Sequence, residues 1–401
     1  MKRIVAAVLA TLLLFSGCSL IEKIGDLSPT TAPNDAYLAE YKDGWAYACL
    51  SAEQQSNYGA VYAAVRDGFG TDATVTLDNS GTTYCGISIT LPEPVKTDTD
   101  IRELYQAFTQ DNPAFFHLGN AYGYSGITVA GTNIYDTLTL TYTMTAEERA
   151  AAQTALHKQR DELLGLLREP MTDFDKELVL HDALLSRCEY NDAAAADTQN
   201  EIYANAFTAY GALVEGSAVC EGYAHAMQYL LHHANIAATV VIGYDAETGE
   251  PHMWNAVVLD GKRYYLDPTW NDGGSEITYT FFNVTTADMV TSHRTGDETL
   301  GVEITADTEH NYYRMTGNYL DTMDQKKIAE HVAGILTAGK DTAHLRFSPE
   351  TYDNALFFIQ NAAWFAETVN ACLPVGVLPL HAYWLISDEK YNTVTICKKT
   401  S

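Results

Sequence analysis

The sequence reads as an α+β protein organised around a cysteine-bearing helix packed on an antiparallel sheet, with a mixed α+β block before it and a small α/β block after it. Three observations carry that reading. From Cys220, the residues Tyr223, Met227, Leu230, Leu231 and Ala234 recur at helical spacing, so the predicted helix packs on one side and the cysteine stands at its N-terminus. HMWNAVVL (252–259) and KRYYLD (262–267) are strand-forming runs flanking Asp260-Gly261, a strong two-residue hairpin signal. Before and after them, capped apolar stripes of helical period alternate with Tyr-rich runs of strand period.

A chain of 401 residues is long enough for two or three domains, and 47% hydrophobic with 11% aromatic content supplies ample core. The formal charge of -28 argues against nucleic acid or an anionic membrane surface as a partner through general electrostatics, because either would be repelled. Residues 1–18, MKRIVAAVLATLLLFSGC, carry two basic residues, an apolar run too short for an easy membrane span, and small residues before a cysteine, which is the anatomy of an export signal. Ser16, Gly17 and Cys18 resemble a bacterial lipobox, although Phe15 stands where leucine is usual. That resemblance implies lipidation of Cys18, a membrane held through the lipid anchor and an extracytoplasmic location; a plain secretory signal is the alternative, and both mean export. The expected division is a signal at 1–17, a tether at 18–36, an N-terminal α+β domain at 37–170, a catalytic domain at 171–297 and a C-terminal α/β domain at 298–401. With Cys18 and Cys220 assigned, five cysteines remain; Cys49 with Cys85 and Cys372 with Cys397 could pair, and buried free thiols are the alternative.

Taken in order, Ser51 with Gln54 forms a capping box ahead of Tyr58, Val61, Tyr62, Val65 and Phe69. TVTLD (74–78) and ISITL (87–91) read as strands, and Asp100 with Glu103 opens a second helix ending near Asp111. Strands are expected at 114–118, 121–127 and 134–143, then a helix capped by Thr145 and Glu148 that runs to about Leu167. Thr172 and Asp175 open a helix on whose apolar line His181 sits; a lone histidine there reads as a satisfied core residue. A short helix is expected in 200–214, a strand at 277–284, and then a capped segment ending at His293. The last hundred or so residues read as a helix near 324–337, strand 344–348, a helix near 350–370 and strands within 378–397, a small βαβ-type unit.

The chemistry-bearing residues come together by geometry. At a helix start, unpaired N–H groups and the positive end of the dipole favour thiolate at Cys220; Glu221 opposes it, so activation falls mainly to a histidine. With Asp260-Gly261 as the turn, Leu259 faces Lys262 and Trp254 faces Asp267, which makes His252 the diagonal neighbour of Asp267 on one sheet face. Asp267 can then orient the imidazole and leave its other nitrogen for Cys220. A slip of one residue would put the two on opposite faces. His225, His232 and His233 share the Cys220 helix without metal-ligand spacing and read as a solvated face; no metal and no cofactor is expected.

Residues 172–295 resemble the bacterial transglutaminase-like superfamily, which is built on a papain-like core. The resemblance rests on His181-Asp182 leading to Tyr190-Asn191, Cys-Glu-Gly-Tyr at 220–223, His-x-Trp-Asn at 252–255 and Asp-x-Thr-Trp at 267–270, with Met253 where alanine is usual. The flanking blocks resemble, through weaker motifs, those of surface members from Gram-positive bacteria. The resemblance implies Cys220 as nucleophile, His252 as general base and acid, and Asp267 as orienting carboxylate. A tetrahedral oxyanion would be held partly by the Cys220 N–H, with Tyr190 as candidate second donor, and Trp254 and Trp270 would wall the cleft. Asn255 alternates to the other strand face and reads as structural. The expected activity is cleavage or transfer of acyl groups at peptide or isopeptide amides of a protein, peptide or cell-wall peptide substrate, with hydrolysis favoured. A non-catalytic surface protein that uses the same fold to bind peptide or cell wall is the competing expectation.

Overall fold

A computed structural model describes residues 44–77, 82–297 and 299–399. The expected signal, the tether and the lipid site Cys18 lie outside these residues. Among the described residues, no helix is long and apolar enough to cross a membrane.

The N-terminal block pairs helices α1 (Ala52–Gly68) and α2 (Asp98–Asp111) with strands β1 (Thr74–Val75), β2 (Tyr84–Val95), β3 (Leu118–Val129) and β4 (Thr132–Tyr142) in the order β1-β2-β4-β3. Ser51 caps α1, but Gln54 spends its side chain on Asp100 O at 2.7 Å instead of closing a box. The cap of α2 is Thr97, which accepts from Asp100 N–H, so the helix starts earlier than the Asp100/Glu103 pattern suggested. The two strands expected at 114–118 and 121–127 are one long β3, preceded by a turn. Tyr58, Val61, Val65, Ile101, Leu104 and Phe108 pack beneath Leu138 and Leu140 as a core of their own.

Helices α3 (Ala146–Leu164) and α4 (Asp173–Leu185) both begin with the expected capping boxes, Thr145/Glu148 and Thr172/Asp175. After them β5 (Glu189–Tyr190) runs parallel to β6 (Ser217–Ala218), and the intervening chain makes a one-turn helix, a 3₁₀ stretch and a π turn in place of the single short helix expected. Helix α5 (Cys220–His233) follows, then a five-stranded antiparallel sheet of β7 (Ala238–Asp245), β8 (Pro251–Leu259), β9 (Lys262–Leu266), β10 (Phe282–Val284) and β11 (His293–Thr295), ordered β10-β9-β8-β7-β11. The strand expected at 277–284 shrinks to β10: Ile277 makes only a bridge to Asp272, and β10 itself is bulged at Asn283, whose φ is 53°.

Helix α5 is buried on every side, which corrects the expectation of one packed face and of a solvated histidine face: His232 and His233 are buried and His225 is only partly exposed. The reason is tertiary. Gln228 Nε2 donates to Gln110 O at 2.8 Å and Gln110 Nε2 donates to Thr239 Oγ1 at 3.2 Å, so the N-terminal block covers the face that periodicity leaves to solvent. Each fully buried leucine on this helix, Leu230 and Leu231, adds about 1.5–3 kcal/mol relative to an exposed one.

The C-terminal block comprises β12 (Tyr319–Leu320), α6 (Gln325–Thr337), β13 (Thr342–Phe347), α7 (Tyr352–Gln360), α8 (Ala362–Cys372), β14 (Tyr383–Asp388) and β15 (Thr393–Lys398). Strands β12 and β13 are parallel across α6, while β13-β15-β14 is antiparallel. The one helix expected near 350–370 is two, broken at Asn361, whose side chain caps the second. The block docks through Arg346 to Asp288 at 2.6 Å and Thr342 to Glu276 at 2.7 Å. All six described cysteines are free, so neither proposed pair forms, and Cys49 is exposed.

Candidate active site

Cys220 is the first residue of α5, preceded by Val219 in extended conformation, so its N–H belongs to the group that has no intrahelical partner. The thiol is partly exposed. Gly222 explains how the helix start is seated: a Cβ there would meet Ala206 O at 2.5 Å and the Ala218 Cβ at 2.8 Å. Only a residue without a side chain lets α5 approach that backbone, and Val219 N–H then donates to Ala206 O at 3.0 Å. Tyr223 closes the other side by donating its hydroxyl to Asp272 Oδ2 at 2.6 Å. Desolvation raises the Glu221 carboxyl above its ordinary value, which weakens the like charge beside the thiol.

The hairpin takes the register counted from its turn, with Leu259 opposite Lys262 and Asn255 opposite Leu266. Strand β9 ends there. Asp267 is the N-cap of the short helix Pro268–Asn271: its Oδ1 accepts Trp270 N–H at 3.0 Å, which fixes the carboxylate, while Oδ2 accepts from His252 Nε2 at 2.7 Å. With Nε2 engaged, Nδ1 is left for Cys220, whose thiol is near enough to act on the imidazole. Burial by itself would push His252 down; the Asp267 charge and hydrogen bond, with Cys220, outweigh it and raise the imidazole to about 10. Burial likewise pushes Asp267 up, and the two histidines that bind it bring it well below the carboxylate range. The geometry therefore favours an imidazolium beside a buried carboxylate and next to a helix-start thiol.

The second of those histidines, His293, was not singled out in the sequence. It is buried on β11, and its Nε2 reaches the same Asp267 Oδ2 at 2.8 Å. Strand β11 is three residues long and pairs with β7, so no periodicity announces it. Gly243 lies between, and a Cβ on it would strike the Trp254 ring at 2.5 Å. Trp254 is accordingly a fully buried wall behind His252 and His293, at 5.8 and 4.9 Å between ring centroids, and not a wall of an open cleft as expected. Trp270 is partly exposed and packs on both rings, at 5.4 and 4.3 Å. Tyr190 is 43% exposed; burial, followed by the charges of Cys220, Asp192 and Asp267, pushes its phenol up to about 12. Asn255 is buried and donates to Ala224 O at 2.9 Å, tying β8 to α5. His181 is a core residue, bonded to Asp182 at 2.9 Å and to Asn271 at 3.2 Å, which steadies the one-turn helix that follows Asp267.

His252, Asp267 and His293 bring their ligand atoms within 4.8 Å of one another, a set that could hold a metal ion. Both histidines, however, direct Nε2 at one carboxylate oxygen at hydrogen-bonding distance, so an ion would have to displace both bonds; the donors fit a shared carboxylate better than a metal centre.

Residues 164–268 match a family model described as the transglutaminase-like superfamily. Kyphoscoliosis peptidase of Homo sapiens is 29% identical over 134 residues, covering 31% of this chain and 20% of the relative; that of Mus musculus is 26% identical over 146 residues, covering 34% and 22%. The chain thus spans about a fifth of the length of these curated relatives. Among solved structures, a TGase shares 21% identity at a TM-score of 0.29, covering 50% of this chain and 54% of its own. A candidate cysteine protease from Cytophaga hutchinsonii shares 14% at a TM-score of 0.23, covering 37% and 61%. The chain carries a transglutaminase-like superfamily domain within a mixed α+β fold.

Proposed function

We propose that this protein is an exported, lipid-anchored thiol enzyme that cleaves or transfers the acyl groups of peptide or isopeptide amides, with hydrolysis as its main outcome. The observation that carries the reading is the series Cys220, His252, Asp267, in which the imidazole bonds a buried acid at 2.7 Å and lies beside a partly exposed thiol at a helix start. The Cys220 thiolate attacks the amide carbonyl carbon, and the oxyanion forms next to the Cys220 N–H. As the C–N bond breaks, the His252 Nδ1 proton passes to the departing nitrogen and a thioester remains. Water, deprotonated by the now neutral His252, or an amine then takes the acyl group. Tyr190 is the proposed second oxyanion donor, and Trp270 the aromatic wall on the open side. The two curated relatives are named as peptidases, which supports hydrolysis over transfer. Anchoring through Cys18 would bring the site to protein or cell-wall peptide outside the membrane.

The test is incubation with peptides, wall fragments and a labelled amine, followed by mass spectrometry of wild type against Cys220→Ala. New carboxylates dependent on Cys220 support hydrolysis and incorporated amine supports transfer. Binding of wall fragments without any Cys220-dependent product would replace the enzyme reading by that of a surface binding protein.

A further inference from the structure

The acid that orients His252 is shared. Asp267 Oδ2 accepts from His252 at 2.7 Å and from His293 at 2.8 Å, each through Nε2, which leaves both Nδ1 atoms free to act elsewhere. On His252 that atom is the one left for the thiol, which acts on this imidazole. On His293 it meets Ser292 Oγ at 2.7 Å. Ser292 Oγ in turn accepts from the Tyr391 hydroxyl, and the Tyr391 oxygen accepts from Thr291 Oγ1 at 2.9 Å. Tyr391 lies in the turn between β14 and β15 of the C-terminal block, and its ring packs on Phe281 at 4.9 Å. Phe281, Trp270 and Trp254 enclose the His293 ring at 5.0, 4.3 and 4.9 Å, so the series runs through a dry aromatic cage.

We propose that His293 is a positioning residue of the Cys220 site that shares the Asp267 oxygen with His252, and that Tyr391 of the C-terminal block completes the site by fixing the Ser292–His293 pair. This rests on the thiol reading given above. A second N–H on one carboxylate oxygen spreads its negative charge over two donors, so less of it holds a proton on His252. Asp267 does not need His293 for its own placement, because Oδ1 accepts Trp270 N–H at 3.0 Å and the Asp267 N–H donates to Phe281 O at 3.0 Å. Losing His293 therefore changes charge before it changes position, and the His252 imidazolium becomes a weaker acid toward the leaving amine. The ionisable groups that face His293 are Asp267 and His252, Asp245 opposite it on β7, and Tyr391 from the C-terminal block.

Alkylation of Cys220 by iodoacetamide tests this without knowledge of the substrate, because its rate rises once as the thiolate forms and again as the neighbouring imidazolium loses its proton. The full chain is alkylated from about pH 4 to about pH 11 and read peptide by peptide, since Cys49 is also exposed. In His293→Leu the upper step should move up by about one pH unit. In His293→Gln, whose amide nitrogen reaches the same oxygen, it should stay within about 0.3 unit of wild type, and in Tyr391→Phe, which keeps the ring on Phe281, it should move up by about 0.3 unit. A folded His293→Leu, judged by circular dichroism and melting, whose upper step is unmoved or moves down would overturn the proposal. Movement in His293→Leu with none in Tyr391→Phe would overturn the part given to the C-terminal block. Wild-type Cys220 that reacts below about pH 8 no faster than Cys49 would instead sink the thiol reading itself, so the two failures are distinguishable.

Discussion

The β8–β9 hairpin carries a histidine–carboxylate pair at each end, and the two differ in what surrounds them. At the open end His252 meets Asp267 at 2.7 Å with side chains 7% and 0% exposed; at the turn end His310 meets Asp260 at 3.0 Å, with the histidine 8% and the aspartate 84% exposed. The residue types and distances are nearly alike. What differs is water, which reaches Asp260 and screens it, whereas nothing screens Asp267. Asp260 serves the turn by taking a φ of 48° next to Gly261 at 74°, the backbone that a tight hairpin requires. Asp267, capping a helix with one oxygen and holding two histidines with the other, can act on chemistry.

Replacing each acid in turn breaks the comparison most directly. Asp267→Asn should lower Cys220-dependent turnover of an activated ester such as p-nitrophenyl acetate on the order of 10³-fold or more with the fold retained, less completely than Cys220→Ala, because His252 loses its orienting charge. Unchanged turnover in a folded Asp267→Asn would remove Asp267 from the mechanism. The next effect is on stability against pH. His252 is raised from 6.5 to about 10, so its contribution is complete below 6.5 and is lost as pH rises toward 10; Asp267 is lowered from 3.8, so its contribution is complete above 3.8 and lost as pH falls. The stability gap between wild type and Asp267→Asn, read by urea unfolding, should therefore be widest between these limits and narrow toward pH 10. A gap that widens with rising pH would contradict the charged pair. A smaller effect is expected for His310→Gln, which keeps a donor for the exposed Asp260 and should shift unfolding by about 0.5–1 kcal/mol through its bond to Tyr264. Smallest of all, Asp260→Asn, which keeps the turn preference, should leave ester turnover within about twofold.

Much of the hairpin end of the site was legible because it is local. Two turn residues fix the register, and the register puts His252 and Asp267 on one face without reference to the rest of the chain. The helix start at Cys220 was legible for the same reason, from the spacing of Tyr223, Met227 and Leu230. Trp254 was misread because alternation gives its face but not its depth: Gly243 on the neighbouring strand leaves room for the ring to lie inward. The histidines of α5 read as a solvated face because their cover comes from elements distant in sequence: Arg160 of α3 meets His233 at 3.2 Å, and Gln110 of the N-terminal block meets Gln228 on the same helix.

The sequence by itself determined the capping boxes at Thr145 and Thr172, the Asp260-Gly261 turn and the helix start at Cys220, since each depends on residues a few positions apart. Only the tertiary structure decided that α5 is enclosed, that Trp254 lies behind the histidines, that His293 reaches Asp267 from a three-residue strand, and that Tyr391 reaches Ser292 beside it from a distant turn. The physical reason is that burial and screening belong to the surroundings of a group, and those surroundings are supplied by segments whose own local pattern carries no mark of what they will cover.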